Sequence, residues 1–176
     1  DVPLIPSYLV TNEQEAMAAA AMLGYPVVMK GLTDRFTHKS DAGLVKLGLQ
    51  DAEQVTATMR SLAHMLAGTP AANFLVQRLA QPGVEALVGV ENDDQFGPVI
   101  ACGPGGTLVE MLDDVALRLA PLTDDAALTL IAATQLGRLL RGLRGQPPGD
   151  SAALANLLVR LSQLASDHRH QLISMD

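Results

Sequence analysis

Apolar residues recur along the chain at two spacings, every second position in short runs and every third or fourth in longer ones, and the alternation between the two predicts its elements. Ser7 to Val10 is a short apolar strand. Thr11 and Asn12 then open a helix, with Gln14 and Glu15 three residues beyond each in capping-box register, and Gly24 closes it. Its body, AMAAAAML, is small enough to pack closely on a sheet. Val27 to Lys30 follows as a strand, with Val28 and Lys30 on one face and Val27 and Met29 on the other. Gly43 to Leu49 alternates again. Asp51 caps a second helix that runs to about Ala67, with Gly68 as the stop and Thr69-Pro70 as the break. This half reads as a compact α+β lobe over 1–72.

A second lobe is expected over 73–176. Phe74 to Leu79, a turn at Pro82-Gly83, and Val84 to Val90 have the pattern of two antiparallel strands joined by a short loop. Asn92 to Pro98 is a turn, Val99 to Ala101 and Val115 to Leu119 are strands, and the glycine cluster Gly103-Pro-Gly-Gly106 lies between them. Helices are expected from Thr123 to about Arg138 and from Asp150 or Ser151 to about His168. The second places Leu154, Leu157, Leu158, Leu161 and Leu164 on one apolar stripe.

Composition narrows the function classes. A formal charge of −7 and a pI near 4.9 argue against nucleic acid or an anionic membrane as the main partner, so any anion site is local. The single cysteine, Cys102, excludes an internal disulfide and a thiolate zinc cluster. No apolar run reaches the roughly 18 residues of a membrane span and no signal segment is visible, so a cytoplasmic location is expected. Asp1-Val-Pro begins without a start methionine and Leu172 to Asp176 stops as a strand gets under way, so the expectation is a fragment of a longer polypeptide.

Candidate chemistry starts with Tyr25 to Leu49, which holds all three lysines of the chain, Lys30, Lys39 and Lys46. A cation at the end of a buried strand is costly unless an anion meets it, so Lys30 asks for a partner. The loop after it, with Arg35, His38, Lys39, Ser40 and Asp41, collects donors and cations of the kind that hold phosphate oxygens. His38 is open to a structural hydrogen bond, phosphate binding or a nucleophilic role. Glu85, Glu110 and Arg118 are ionisable residues within strand patterns. Each alone reads as scattered charge on an exposed sheet face, while together with Lys30 they point to a shared cleft. Cys102-Gly-Pro-Gly-Gly-Thr107 fits neither the Rossmann nor the Walker spacing, and a plain turn explains it equally well. His64, His168 and His170 carry no assigned chemistry, and no histidine pair has a metal-ligand spacing.

Five ordered blocks, VVMKG at Val27 to Gly31, HKSDAGLVKLGL at His38 to Leu49, FLVQRL at Phe74 to Leu79, PGVEALVGVENDDQFGPVI at Pro82 to Ile100 and GGTLVEMLDDVALRLAPLT at Gly105 to Thr123, resemble the ATP-grasp domain of NDP-forming acyl-CoA synthetases. This is the β portion of the ADP-forming acetate–CoA ligase family, similar to succinyl-CoA synthetase β. The resemblance implies an α+β ATP-grasp fold, two lobes with a nucleotide cleft between them, truncated at both ends. By that analogy Lys30 touches the α- and β-phosphates, Gln77, Arg78 and Leu79 form the hinge against adenine, and Glu85 reaches the ribose side. His38 lies on the loop that passes phosphate between a phosphohistidine on the CoA-binding portion and the nucleotide. Arg118 belongs near the phosphate end, and Glu110 and Asp176 near the metal. The implied cofactors are ATP or ADP and Mg2+, with CoA on a partner or fused portion that bears the phosphohistidine.

The family's chain continues past the position of Asp176 with an Asn-Pro pair and a further acidic residue that help hold magnesium, so the metal site is expected to be incomplete and the fragment inactive alone. Two other readings stand beside the ligase module. One is a non-catalytic regulatory ATP-grasp-like domain of a protein acetyltransferase fusion; the other is a docking module for the CoA-binding portion.

Overall fold

The computed structural model describes residues 2–33, 42–68, 73–106, 113–142, 145 and 147–175. The chain divides into two compact units, Pro3–Gln81 and Pro82–Asp176, the second joined by Asp1–Val2.

In the first unit the elements run β1 (Ser7–Val10), α1 (Glu13–Leu23), β2 (Val27–Leu32), β3 (Val45–Leu49), α2 (Ala52–Met65) and β4 (Asn73–Arg78). The caps form where the sequence places them. Asn12 accepts the Glu15 N–H at 3.0 Å, and the Glu15 carboxylate reaches back to the Thr11 N–H at 2.8 Å. Asp51 caps α2 through the Gln54 N–H at 2.8 Å. Gly24, at φ 76°, ends α1 in a backbone conformation that favours glycine. The four strands order β1-β4-β2-β3, antiparallel throughout. Alternation then sorts the side chains. Val27, Met29, Phe74 and Val76 are buried with Ala16 and Val55 of the two helices, while Lys30, Leu75 and Gln77 occupy the other face.

The second unit holds β5 (Ala86–Asp93), β6 (Gly97–Pro104), β7 (Ala116–Leu119), α3 (Asp124–Ala132), α4 (Gln135–Leu139), α5 (Ser151–Asp167) and β8 (Ser174–Met175). Its sheet is β7-β6-β5-β8, again antiparallel. Val90, Ile100 and Cys102 are buried in one cluster with Leu130, Leu158 and Ala165 of the helices. Among the described residues no helix is long and apolar enough to cross a membrane.

Three expectations change. The strands β4 and β5 are not a hairpin. β4 lies between β1 and β2, whereas β5 pairs with β6 through the Asp93–Gly97 turn and with β8, so the unit boundary falls at Gln81/Pro82 instead of 72/73. The helix expected from Thr123 to Arg138 breaks after Ala132. Gly137 approaches the turn so closely that a Cβ there would lie 2.8 Å from the Ile131 carbonyl oxygen, and Asp114 caps the second piece by accepting the Gln135 N–H at 2.6 Å. On α5 the buried stripe is centred on Ala155, Leu158, Ser162 and Ala165, and Leu164 is exposed. Ser162 is buried without penalty, since its hydroxyl accepts the Leu122 N–H at 2.9 Å and donates to the Val159 carbonyl at 2.7 Å.

Candidate functional site

Lys30 stands directly opposite Leu75 on β4 and Val45 on β3, half-buried, with no hydrogen bond or ion pair to a described residue. One register pair along the same face, Gln77 lies opposite Val28 and Ser7. Lys30 and Gln77 are thus diagonal neighbours, roughly 7–8 Å apart between Cα atoms. This face of the first sheet therefore carries one cation, Lys30, with the amides of Asn73 and Gln77 on its two diagonals and the Ser7 hydroxyl beside Gln77, among Val28, Leu75 and Val45.

Arg78 follows Gln77 and so points to the other face. Its guanidinium donates from Nε at 3.0 Å and from Nη2 at 2.8 Å to the Leu23 carbonyl, the end of α1. The backbone there is occupied too, with the Arg78 N–H donating to Pro6 and the Leu79 N–H to Pro26, each at 3.3 Å. Of the three residues expected at the adenine hinge, only Gln77 presents a free side-chain polar group on the Lys30 face.

Glu85 precedes β5 and is not part of it. Its carbonyl accepts the Gly105 N–H at 2.7 Å, and its carboxylate lies over Gly106, where any Cβ would overlap it. A Cβ on Gly105 would come within 2.8 Å of the Ala86 backbone. The glycine cluster thus serves close backbone approach between the start of β5 and the end of β6, and the turn at Gly106 (φ 63°) follows.

Opposite the helices, the second sheet has an open face of its own. Gly89 on β5, Ala101 on β6 and Leu117 on β7 stand side by side. With Leu87, Val99 and Glu91 they line a hollow of about 470 Å³ whose floor is low because Gly89 and Ala101 are small. Sequence reasoning assigned Gly89, Ala101 and Leu117 no role. The signal was present, as a glycine and an alanine at two-residue spacing from larger apolar residues, but only the strand register places them side by side.

Arg118 stands opposite Ile100, at the edge of the sheet's helix-packed face. It borders a separate depression of about 580 Å³ with Leu122, Thr123, Ala126 and Leu130. The structure does not bring it to the face that holds Gly89. His38, Glu110 and Asp176 lie outside the described residues. Among the described residues, no group of three or more His, Cys, Asp or Glu can hold a metal ion. Cys102 is buried, and loss of solvation pushes its thiol up to about 11.

Two four-stranded antiparallel sheets, each backed by helices that among the described residues lie on one face, are the parts of an ATP-grasp protein. A sequence profile described as an ATP-grasp domain matches residues 1–176, and the chain belongs to that family, among the ATP-grasp domains of ADP-forming acyl-CoA synthetases. It is 39% identical over 178 aligned residues to acetate–CoA ligase (ADP-forming) I of Archaeoglobus fulgidus, a match that takes in 99% of this chain and 26% of that one. With the β subunit of the acetate–CoA ligase (ADP-forming) I of Pyrococcus furiosus it shares 37% identity over 166 residues, 92% of this chain and 72% of the subunit. The dinucleotide-forming acetyl-coenzyme A synthetase 1 of Ca. Korarchaeum cryptofilum, solved with coenzyme A, Ca-AMPCP and HgCl+, matches with a TM-score of 0.91 at 34% identity, covering 98% of this chain and 77% of that one. The family expected from the sequence and its α+β ATP-grasp fold are both met. The chain spans about a quarter of the length of the Archaeoglobus relative.

Proposed function

We propose that the chain is the ATP/ADP-binding, phosphoryl-transferring module of a cytoplasmic ADP-forming acyl-CoA synthetase. The overall reaction is acid plus CoA plus ATP going to acyl-CoA plus ADP plus phosphate, by way of a phosphohistidine on a CoA-binding portion, fused or separate. One observation carries the reading: a half-buried lysine with an amide, Asn73 or Gln77, on each diagonal of one sheet face, and no described partner for the lysine.

The residues take roles that their positions allow. Lys30 binds phosphate oxygens, and phosphoryl transfer depends on just such positioning and charge neutralisation. Gln77 serves the base end. The hollow over Gly89 and Ala101 takes a flat apolar ring, with Glu91 at its rim. Glu85 is assigned the ribose side and His38 the passage of phosphate. Arg118 is assigned the phosphate end on the resemblance alone, since its register places it on the helix-packed face. Mg2+ would neutralise phosphate charge, with Glu110 and Asp176 as its assigned ligands.

Thermal unfolding with Mg·ADP or Mg·ATP tests the reading. Ligand at about 100 times its dissociation constant adds roughly 2.7 kcal/mol to the stability of a protein that binds it. A chain that gains nothing from either nucleotide is a regulatory or docking domain instead.

A further inference from the structure

Arg78 is the one residue of the 77–79 segment whose side chain is hydrogen-bonded to a described residue, through two of its five donors. Both Nε and Nη2 converge on a single acceptor, the Leu23 carbonyl, at 3.0 and 2.8 Å. That carbonyl belongs to the last turn of α1, where the helix carries partial negative charge and where α1 has no basic residue of its own. Arg78 supplies the missing cation from 55 residues away. At the same place the Arg78 N–H is held by Pro6, the Leu79 N–H by Pro26 and the Gly24 N–H by Ala20. Three separate parts of the first unit, the entry to β1, the end of α1 and the entry to β2, therefore converge on the point where β4 leaves the sheet. Gln77, one residue earlier, faces the opposite way.

We infer that Arg78 is a positioning residue for the base-binding end of the nucleotide site: it makes no contact with the ligand, and by locking the exit of β4 to the end of α1 it fixes where Gln77 and the chain after Leu79 meet the base. The inference rests on the proposed nucleotide reading. It gives the Arg78 side chain an indirect part in the adenine hinge expected of Gln77, Arg78 and Leu79. The phosphate end, held by Lys30 one register pair away on the other face, does not depend on it.

The test compares Arg78→Met and Arg78→Lys with the unaltered chain, measuring the dissociation constants of Mg·ADP and of Mg·pyrophosphate by calorimetry. Lysine keeps the charge and one donor for the Leu23 carbonyl, so it holds the fold should the methionine variant unfold. The expected result is a tenfold or greater loss of ADP affinity in Arg78→Met, a smaller loss in Arg78→Lys, and pyrophosphate affinity changed less than twofold in both. A parallel loss of pyrophosphate affinity overturns the inference, because the guanidinium then acts on phosphate directly. A lowered melting temperature with unchanged ADP affinity overturns it as well, because Arg78 is then structural only. An unaltered chain that binds neither ligand overturns the nucleotide reading itself, a failure distinct from either of these.

Discussion

Replacing Lys30 with methionine removes the charge and keeps most of the apolar stem, which separates the two things the side chain does. In the free protein the ammonium has no described hydrogen-bond partner and is half-buried between Leu75 and Val45. Taking it away leaves no acceptor of the described chain unsatisfied, so the melting temperature of the free protein should hold within about 2 °C or rise, since roughly 2–4 °C corresponds to 1 kcal/mol in a chain of this size. Nucleotide binding should respond differently. A hydrogen bond from a charged donor contributes about 1.5–3 kcal/mol, which is roughly a 10- to 150-fold change in affinity. At a nucleotide concentration about 100 times the original dissociation constant, the stabilisation then falls from about 2.7 kcal/mol to between about 1.4 and 0.3 kcal/mol. Differential scanning fluorimetry with and without Mg·ADP reads both quantities on the same samples. The reasoning is refuted if the variant loses stability while free and keeps the whole ligand-induced shift, for Lys30 would then be a packing residue.

Two further predictions follow from the second unit. Gly89→Leu should fold normally, since a Cβ there meets nothing closer than 3.6 Å, yet it fills the hollow over Ala101. ADP affinity should fall more than tenfold by calorimetry with the melting temperature unchanged or higher, and unchanged binding would remove the hollow from the site. Cys102, the chain's single cysteine and fully buried, should resist a thiol reagent at pH 8 until the second unit unfolds. Its thiol rises from 9.0 to about 11 in the folded state, so the folded protein holds that proton more tightly. Its contribution is complete below about pH 9 and is lost as pH rises through about 11, which a Cys102→Ser comparison of alkaline melting curves detects.

Local chemistry was legible in the sequence and long-range pairing was not. Asn12, Asp51 and Asp150 cap the helices they precede, because a cap depends on residues three positions apart. Alternation placed Lys30 on the face opposite Val27 and Met29, again a property of one strand. It says nothing about which strand lies alongside. Phe74 to Leu79 and Val84 to Val90 look like a hairpin around Pro82-Gly83, yet each has its partners in a different sheet. The register decides sites in the same way, bringing Gly89 beside Ala101 and Arg118 beside Ile100.

One other misreading had a tertiary cause. The break at Ala133 and Thr134 comes from Asp114, 21 residues before Gln135, capping a second short helix, and from Gly137 closing against Ile131. That glycine, inside an otherwise helical pattern, was the available signal. Arg78 is placed at the hinge by the family resemblance, which says nothing of where its side chain goes. The acceptor it takes, the Leu23 carbonyl, is a backbone atom that any sequence would offer.

Photolabelling with 8-azido-ADP and Mg2+, followed by peptide mapping, tests most directly whether this chain binds a nucleotide and which sheet faces meet it. Label carried by peptides spanning 75–81 or 87–101, and displaced by unlabelled ADP, is the predicted result. Label confined to the outer surfaces of α1, α2 or α5, or label that excess ADP leaves in place, would contradict it.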